Sequence, residues 1–273
     1  MRVTRYPNQH PRPRPLYETT LLRRLGSIAV AVGVALGFAA LLAHFVHPQN
    51  AFDINRISAR EIAVASLNTF DRMLFAFVFS LIAAVPLALV MASTPQIQRV
   101  LLPIADVLQS VPVLAFFPVV AAFFVAYHAF ELAAVFVIFL AMVWNIVFPI
   151  IGGLQTIPDD VNSAALVFNV RGWRKFWNIT LPALFPFIVT GSLLAWAQGW
   201  TIVIVAEVLH TYIPNGTPSQ DLLGLGSLLV DSNAQGKNGV FIAALVAMIL
   251  LVTLLNLLVW QPLLYLSRRF RFD

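Results

Sequence analysis

Long apolar runs separated by short polar segments dominate the chain. Each run has about the ~20 residues that a helix needs to cross the hydrocarbon core of a bilayer. Most charged residues fall between the runs. The pattern predicts an all-α polytopic membrane protein with six transmembrane helices, over residues 26–46, 68–92, 103–126, 131–152, 179–209 and 240–266.

The segments around these runs divide the chain further. Residues 1–25 form a basic tail whose PRPRP run is incompatible with a helix. Residues 26–65 hold the first run and a mixed external segment, which we interpret as a loop containing an amphipathic helix. The core, residues 66–266, contains a polar loop at 155–178, and residues 267–273 form a second basic tail.

Composition excludes a soluble globular domain, because 60% of residues are hydrophobic, 11% are charged and the mean hydropathy is +0.85. The absence of cysteine excludes a disulfide framework and a thiolate metal site. The net charge of +5 could indicate nucleic acid. We attribute it to the excess of basic residues that membrane proteins carry in cytoplasmic loops, and expect no nucleic-acid partner.

The distribution of the 17 basic residues predicts the orientation. Six lie in the first tail, one is Arg99, three follow the fourth run and three end the chain. These residues fall on one side of the predicted spans. Both termini and the loop at 155–178 are therefore expected to be cytoplasmic, which requires an even number of spans.

The polar loop has the pattern of a short helix followed by a turn. We expect Thr156 to cap the helix, Pro158 to lie in its first turn, and the acidic pair at 159–160 to face the positive end of the helix dipole. Asn169 and Gly172 tolerate a positive φ, so the chain is expected to turn between them.

The same loop resembles the signature of permease subunits of bacterial ABC importers, which is EAA, three residues, G, nine residues, I, one residue and LP. The register is kept by Ser163, Ala164, Ala165, Asn169, Ile179, Leu181 and Pro182. Ser163 replaces the acid and Asn169 replaces the glycine. The resemblance implies that this loop is the coupling helix, which docks on an ATPase subunit, with Arg171, Gly172 and Arg174 as further contact residues.

A second stretch resembles the nitrate, sulfonate, taurine and bicarbonate branch of these permeases. Residues 109–118, QSVPVLAFFP, are similar to its RxIPxxAxxP segment. Pro112 and Pro118 interrupt the backbone hydrogen bonds in mid-membrane, which is tolerated where the freed carbonyls find partners or a wet cavity. The two prolines either line a pathway or kink a packed helix.

Polar residues within the runs are the other candidates for a translocation path. The uncharged ones are Gln109, Ser110, Asn145, Gln198 and Thr201. Glu207 lies in an apolar run and either lines the path or accepts hydrogen bonds from neighbouring helices. Arg99, in a loop, is the only basic residue between Arg72 and Arg171, so we expect the spans to offer no strong fixed cation for an anionic substrate. No metal site is predicted.

The resemblance implies the type I importer fold and a transport subunit of the bacterial inner membrane rather than an enzyme. It further implies two permease copies, as a homodimer, a separate ATP-binding cassette ATPase that binds ATP and Mg²⁺, and an external binding protein that delivers a small anion such as an oxyanion or sulfonate. The chain has no GxxxxGK[ST] motif, so we expect it to bind no cofactor itself. We expect residues 212–238 to contact the binding protein.

Two alternatives stay open. The chain could be an ATP-independent secondary carrier or channel that uses Glu207 for ion coupling, or a membrane scaffold whose loop recruits a soluble partner.

Overall fold

The computed structural model describes residues 58–213, 216–217 and 220–270. The predicted first span, 26–46, and the first tail lie outside the described residues. The described part is built from helices, and we number the main ones α1 to α8. They are α1 (Ala59–Met91), α2 (Pro95–Ser110), α3 (Val113–Ala126), α4 (Phe130–Gln155), α5 (Asp159–Val167), α6 (Gly172–Ala206), α7 (Leu225–Ala234) and α8 (Asn238–Phe270).

Four of these helices, α1, α4, α6 and α8, are long and apolar enough to cross a membrane. The pair α2–α3 gives a fifth span if its two helices are taken together. The described residues therefore hold four or five candidate spans, and the predicted count of six is not confirmed within them. The prediction of an all-α polytopic membrane protein is confirmed.

The third apolar run is not one helix, so the prediction of a continuous span over 103–126 is wrong. α2 begins at Pro95, where Thr94 caps it, and α2 and α3 meet at an angle of 82°. Val111 adopts extended angles (φ −75°, ψ 124°) directly before Pro112. A proline disfavours helical angles in the residue before it and donates no backbone hydrogen bond, which explains the break.

Two other helices begin earlier than the apolar pattern predicts. α1 starts at Ala59, where the Ser58 hydroxyl accepts a hydrogen bond from the Glu61 N–H (3.3 Å), so residues 59–66 are helical and continuous with the span. α6 starts at Gly172 rather than at residue 179, and contains a π turn at Phe176–Thr180. The first turns of both helices contain polar residues, so the apolar runs in the sequence begin later than the helices do.

The core lies where α4 packs between α1 and α6, with small residues at the contacts. Gly191 of α6 faces the backbone of α4, and a Cβ there would lie 2.8 Å from the Asn145 carbonyl oxygen. Gly199, two turns further along α6, faces Met142 of α4 and Met73 of α1. Small residues allow membrane helices to approach closely, so these positions fix α4 against α6.

The helix directions define two ends of the bundle. The last turns of α1 and α4 and the first turn of α6 line one groove of about 410 Å³, which contains Ala92, Leu154 and Gly172. The end of α8 is close by, since Phe270 packs on Phe185 of α6. We call this the coupling end. The start of α4 and the end of α6 lie at the opposite end.

Candidate functional site

The segment that resembles the coupling helix forms α5, a short helix at the coupling end. Asp159 and Asp160 occupy its first turn, as predicted. The predicted role of Thr156 is wrong. Thr156 is the C-cap of α4, where its hydroxyl donates to the Gly153 carbonyl (2.8 Å), and Pro158 rather than Thr156 takes the N-cap position of α5.

The chain turns after α5 at the two predicted positions. Asn169 has φ +55° and Gly172 has φ +54°, so both adopt left-handed angles. Asparagine is among the few side chains that tolerate this region, and glycine enters it without a Cβ penalty. The prediction of a turn between Asn169 and Gly172 is confirmed, and asparagine serves where the signature has glycine.

The end of α5 exposes apolar side chains. Leu166, Val167 and Phe168 are 61%, 83% and 79% exposed. Ala165 is buried and its carbonyl accepts a hydrogen bond from the Val170 N–H (2.8 Å), while Ser163 and Ala164 are exposed. We call Leu166, Val167 and Phe168 the apolar tip. A patch of this kind on a polar loop is typical of a protein-binding surface.

The start of α6 places charge beside this tip. Arg171 and Arg174 are exposed, whereas Ile179, Leu181 and Pro182 are half-buried against the bundle. Trp173 stacks on Phe176 and packs edge-on against Trp177, with ring centroids 5.5 Å apart in both pairs. The structure therefore divides the predicted coupling residues into an exposed set and a set that packs the start of α6 against the bundle.

At the opposite end, a cluster of buried charges surrounds Glu207, directly after α6. Its carboxylate has no exposed surface. One oxygen accepts hydrogen bonds from the Thr69 hydroxyl (2.7 Å) and the Arg72 guanidinium (2.8 Å), and the other accepts from the Gly226 N–H (2.7 Å). Glu207 therefore accepts hydrogen bonds from neighbouring helices, as the second of its two interpretations describes.

Arg72 is the centre of the cluster, and it is a basic residue within a candidate span. It lies in α1 and is 4% exposed. Its Nε and Nη2 donate to the two carboxylate oxygens of Glu131, at 2.6 and 2.8 Å, and its Nη1 also donates to the Leu223 carbonyl (3.1 Å). Because Arg72 is paired on both sides, its charge is neutralised and not available to a solute.

The cluster also positions α7 and the chain before it. The Leu225 N–H donates to the Thr69 hydroxyl (2.8 Å), and the Leu222 N–H donates to the Glu207 carbonyl (3.0 Å). A Cβ at Gly224 would overlap the Glu207 carboxylate, and one at Gly226 would lie 2.6 Å from the Ile204 Cα. Glycine at these positions lets the backbone approach the buried charge.

One signal in the sequence indicates this cluster, and our predictions did not include it. Arg72 and Glu207 are opposite charges in two apolar runs, and intramembrane charges usually pair with each other. Nothing in the spacing of residues 72, 131 and 207 indicates that the first contacts the other two. Within the described residues, every buried side-chain nitrogen or oxygen has a hydrogen-bond partner, so the cluster is fully satisfied.

The uncharged path candidates lie on α2, α3, α4 and α6 or at the bend between α2 and α3. Gln198 and Thr201 are exposed on α6, on the same face as Thr190 and Leu194. Asn145 donates to the carbonyl of Ala141 in its own helix (2.9 Å). The α2–α3 candidates are all exposed at or near the bend, and these are Gln109, Ser110, Pro112 and Pro118.

The segment between α6 and α7 contains a second pair of ionisable side chains, His210 and Asp221. The His210 N–H donates to one Asp221 carboxylate oxygen (2.9 Å), and His210 Nδ1 lies 2.6 Å from the other. Burial raises the pKa of the Asp231 carboxyl in α7, the negative charge of Asp221 raises it further, and His210 opposes the rise. Tyr212, next to this group, packs on Phe117 of α3 with ring centroids 4.5 Å apart.

This arrangement is that of a transport component: apolar helices around a satisfied core, a projecting loop with an apolar tip, and no nucleotide-binding motif in the sequence. Residues 76–271 match the family described as "Binding-protein-dependent transport system inner membrane component". The chain belongs to this family, whose members are permease subunits of ABC importers with the type I transmembrane fold, not enzymes. The resemblance found in the sequence is thereby confirmed.

Curated relatives support the branch of the family. The chain is 31% identical to the nitrate import permease protein of Leptolyngbya laminosa over 189 residues, which is 69% of this chain and 63% of that protein. It is 28% identical to the bicarbonate transport system permease protein of Synechococcus elongatus, covering 63% and 56% of the two chains. It is 23% identical to the taurine transport system permease protein of Escherichia coli, covering 50% and 49%. The matches span less than two thirds of each relative's length.

Proposed function

We propose that the chain forms the translocation path of an ATP-driven importer for a small anion delivered by an external binding protein. Nitrate, bicarbonate and taurine appear in the names of its relatives, so an oxyanion, a sulfonate or a related organic anion is the proposed solute class. Two copies of the chain would enclose the path. ATP and Mg²⁺ would be bound by a separate ATP-binding cassette ATPase subunit.

The observation that carries this proposal is the apolar tip at the end of α5. Leu166, Val167 and Phe168 are exposed at the end of a short helix, and the chain turns directly after them at two left-handed residues. Such a helix fits a groove on a soluble partner, with Arg171 and Arg174 able to contact acidic groups beside it. Motion of α5 would reach α6 through the half-buried residues Ile179, Leu181 and Pro182, and ATP need only favour one packing of the spans.

The proposed path uses the exposed polar face of α6, with Gln198 and Thr201, together with Gln109 and Ser110 near the bend. Asn145, Pro112 and Pro118 are further candidates. These groups carry no charge, so selectivity for the anion would reside mainly in the binding protein, which residues 212–238 are proposed to contact. The proposed orientation places both termini and the coupling end in the cytoplasm.

The alternative of a secondary carrier coupled through Glu207 gains no support. An ion-coupling carboxylate must exchange its ion or proton with water, whereas Glu207 is fully buried and paired with Arg72. The scaffold alternative accounts for the projecting loop and not for the polar face of α6.

The test is a charge reversal in the coupling segment, Arg171→Glu with Arg174→Glu. We expect both the co-purification of the ATPase and ATP-dependent uptake of nitrate or taurine into proteoliposomes to be lost, while the permease stays folded. The matched control is Arg99→Glu with Arg268→Glu, which makes the same change of net charge at exposed positions outside the loop. Unchanged co-purification and uptake in the first variant would refute the coupling role.

A further inference from the structure

The opposite end of the bundle contains an open seam between α1 and α4. A groove of about 470 Å³ lies there. Its walls come from the two helices, with Asn68, Asp71, Phe75 and Phe79 on α1 and Leu132 and Val135 on α4. The pair Arg72–Glu131 lies at this groove and joins its two walls. Elsewhere, α4 packs against α6 at Gly191 and against both α6 and α1 at Gly199, and the Ser80 hydroxyl of α1 donates to the Phe139 carbonyl of α4 (3.3 Å). Among the described residues, Arg72–Glu131 is the ion pair that joins α1 to the start of α4.

The two carboxylates on Arg72 are in unequal positions. Glu207 has no exposed side-chain surface and also accepts from Thr69 and Gly226, whereas the Glu131 side chain is 62% exposed. In the described part of the chain, the hydrogen bonds of the Glu131 carboxylate both come from Arg72. If Glu131 moves away, water can solvate it at once. Arg72 keeps Glu207 and the Leu223 carbonyl, so no buried charge is left unpaired.

We propose that Glu131 is a releasable latch on the seam between α1 and α4. It is bound to Arg72 in one state of the transport cycle and released in another, while the Arg72–Glu207 pair holds in both. Glu131 is then a positioning residue for transport. Glu207 and Thr69 form the permanent side of the charge cluster, whose hydrogen bonds keep α7 on α1 in both states. The timing of release within an ATP-driven cycle rests on the function proposed above, whereas the existence of the latch does not.

The test measures the width of the seam directly. Since the chain has no cysteine, spin labels can be placed at Phe75→Cys and Leu132→Cys, two exposed positions on the two walls, without a background signal. The control pair is Leu67→Cys with Asn233→Cys, on α1 and α7, which the permanent side joins. We expect Glu131→Gln to shift the seam distances towards longer values in the full-length chain in lipid nanodiscs, with a population change of up to about fivefold, the range of an exposed ion pair. Glu131→Asp should restore part of the wild-type distribution.

In the complex with the ATPase, the seam distances should differ between the nucleotide-free and vanadate-trapped states, and the control distances should not. Identical seam distances in wild type and Glu131→Gln, or in both nucleotide states, would overturn the proposal. Failure of the proposed function has a different signature, because no ATPase would then co-purify with the wild-type chain, while the effect of Glu131→Gln on the chain alone would still report on the latch.

Discussion

The buried charge cluster predicts that its two carboxylates differ sharply in their contribution to stability. Glu207→Ala removes the acceptor of three buried hydrogen bonds and the partner of a buried guanidinium. Breaking a buried pair by removing one partner costs about 3–5 kcal/mol. Arg72 keeps Glu131 and the Leu223 carbonyl, which places the loss near the lower figure, and the orphaned Gly226 N–H adds about 1–3 kcal/mol. We expect a total loss of roughly 4–6 kcal/mol.

Glu131→Ala should cost far less, because that side chain is 62% exposed and an exposed pair contributes about 0–1 kcal/mol. The measurement is the thermal midpoint of the purified chain in mild detergent. Unfolding is monitored as the loss of the monodisperse peak in size-exclusion chromatography. Glu207→Ala should show a large decrease and Glu131→Ala a small one.

A third variant distinguishes the effect of losing the Arg72–Glu207 ion pair from the effect of losing side-chain volume. Arg72→Met with Glu207→Leu replaces both charges by apolar side chains. It should be more stable than Glu207→Ala, because it fills the volume that alanine leaves empty and removes the guanidinium that has lost its buried carboxylate. If Glu131→Ala destabilises as much as Glu207→Ala, or if the double variant is the least stable of the three, our assignment of the buried pair is refuted.

Two further predictions concern packing and pH. Gly191→Ala should lower the thermal midpoint by the equivalent of about 1–3 kcal/mol, since its Cβ would meet the α4 backbone. The control Gly152→Ala should not lower the midpoint, because the space around Gly152 is open. Equal effects of the two substitutions would show that α4 and α6 do not pack as described. A carboxyl whose pKa is raised in the folded protein is destabilising once pH rises through that pKa, so Asp231→Asn should raise the midpoint more at pH 8 than at pH 5. The opposite pH trend would contradict this placement of Asp231.

Local chemistry explains what could be predicted from the sequence. Apolar runs of spanning length indicate membrane helices whatever their neighbours are, and the positive φ at Asn169 and Gly172 follows from residue types that tolerate it. The spacing from Ser163 to Pro182 identified the family, because it covers one uninterrupted stretch of chain: the end of α5, the turn after it and the start of α6. Each of these features depends on residues close together in the chain.

The features that depend on distant residues were decided only by the tertiary structure. Glu207 is separated by 135 residues from Arg72, and Arg72 by 59 residues from Glu131, so no local pattern shows that they meet. The same holds for the difference in exposure between the Glu207 and Glu131 carboxylates, because exposure depends on which neighbouring helices exclude water. The bend at Pro112 depends on both the local sequence and the tertiary structure. Proline makes a break possible, but the packing of α3 against α4 and the Tyr212 segment determines where the chain goes after it.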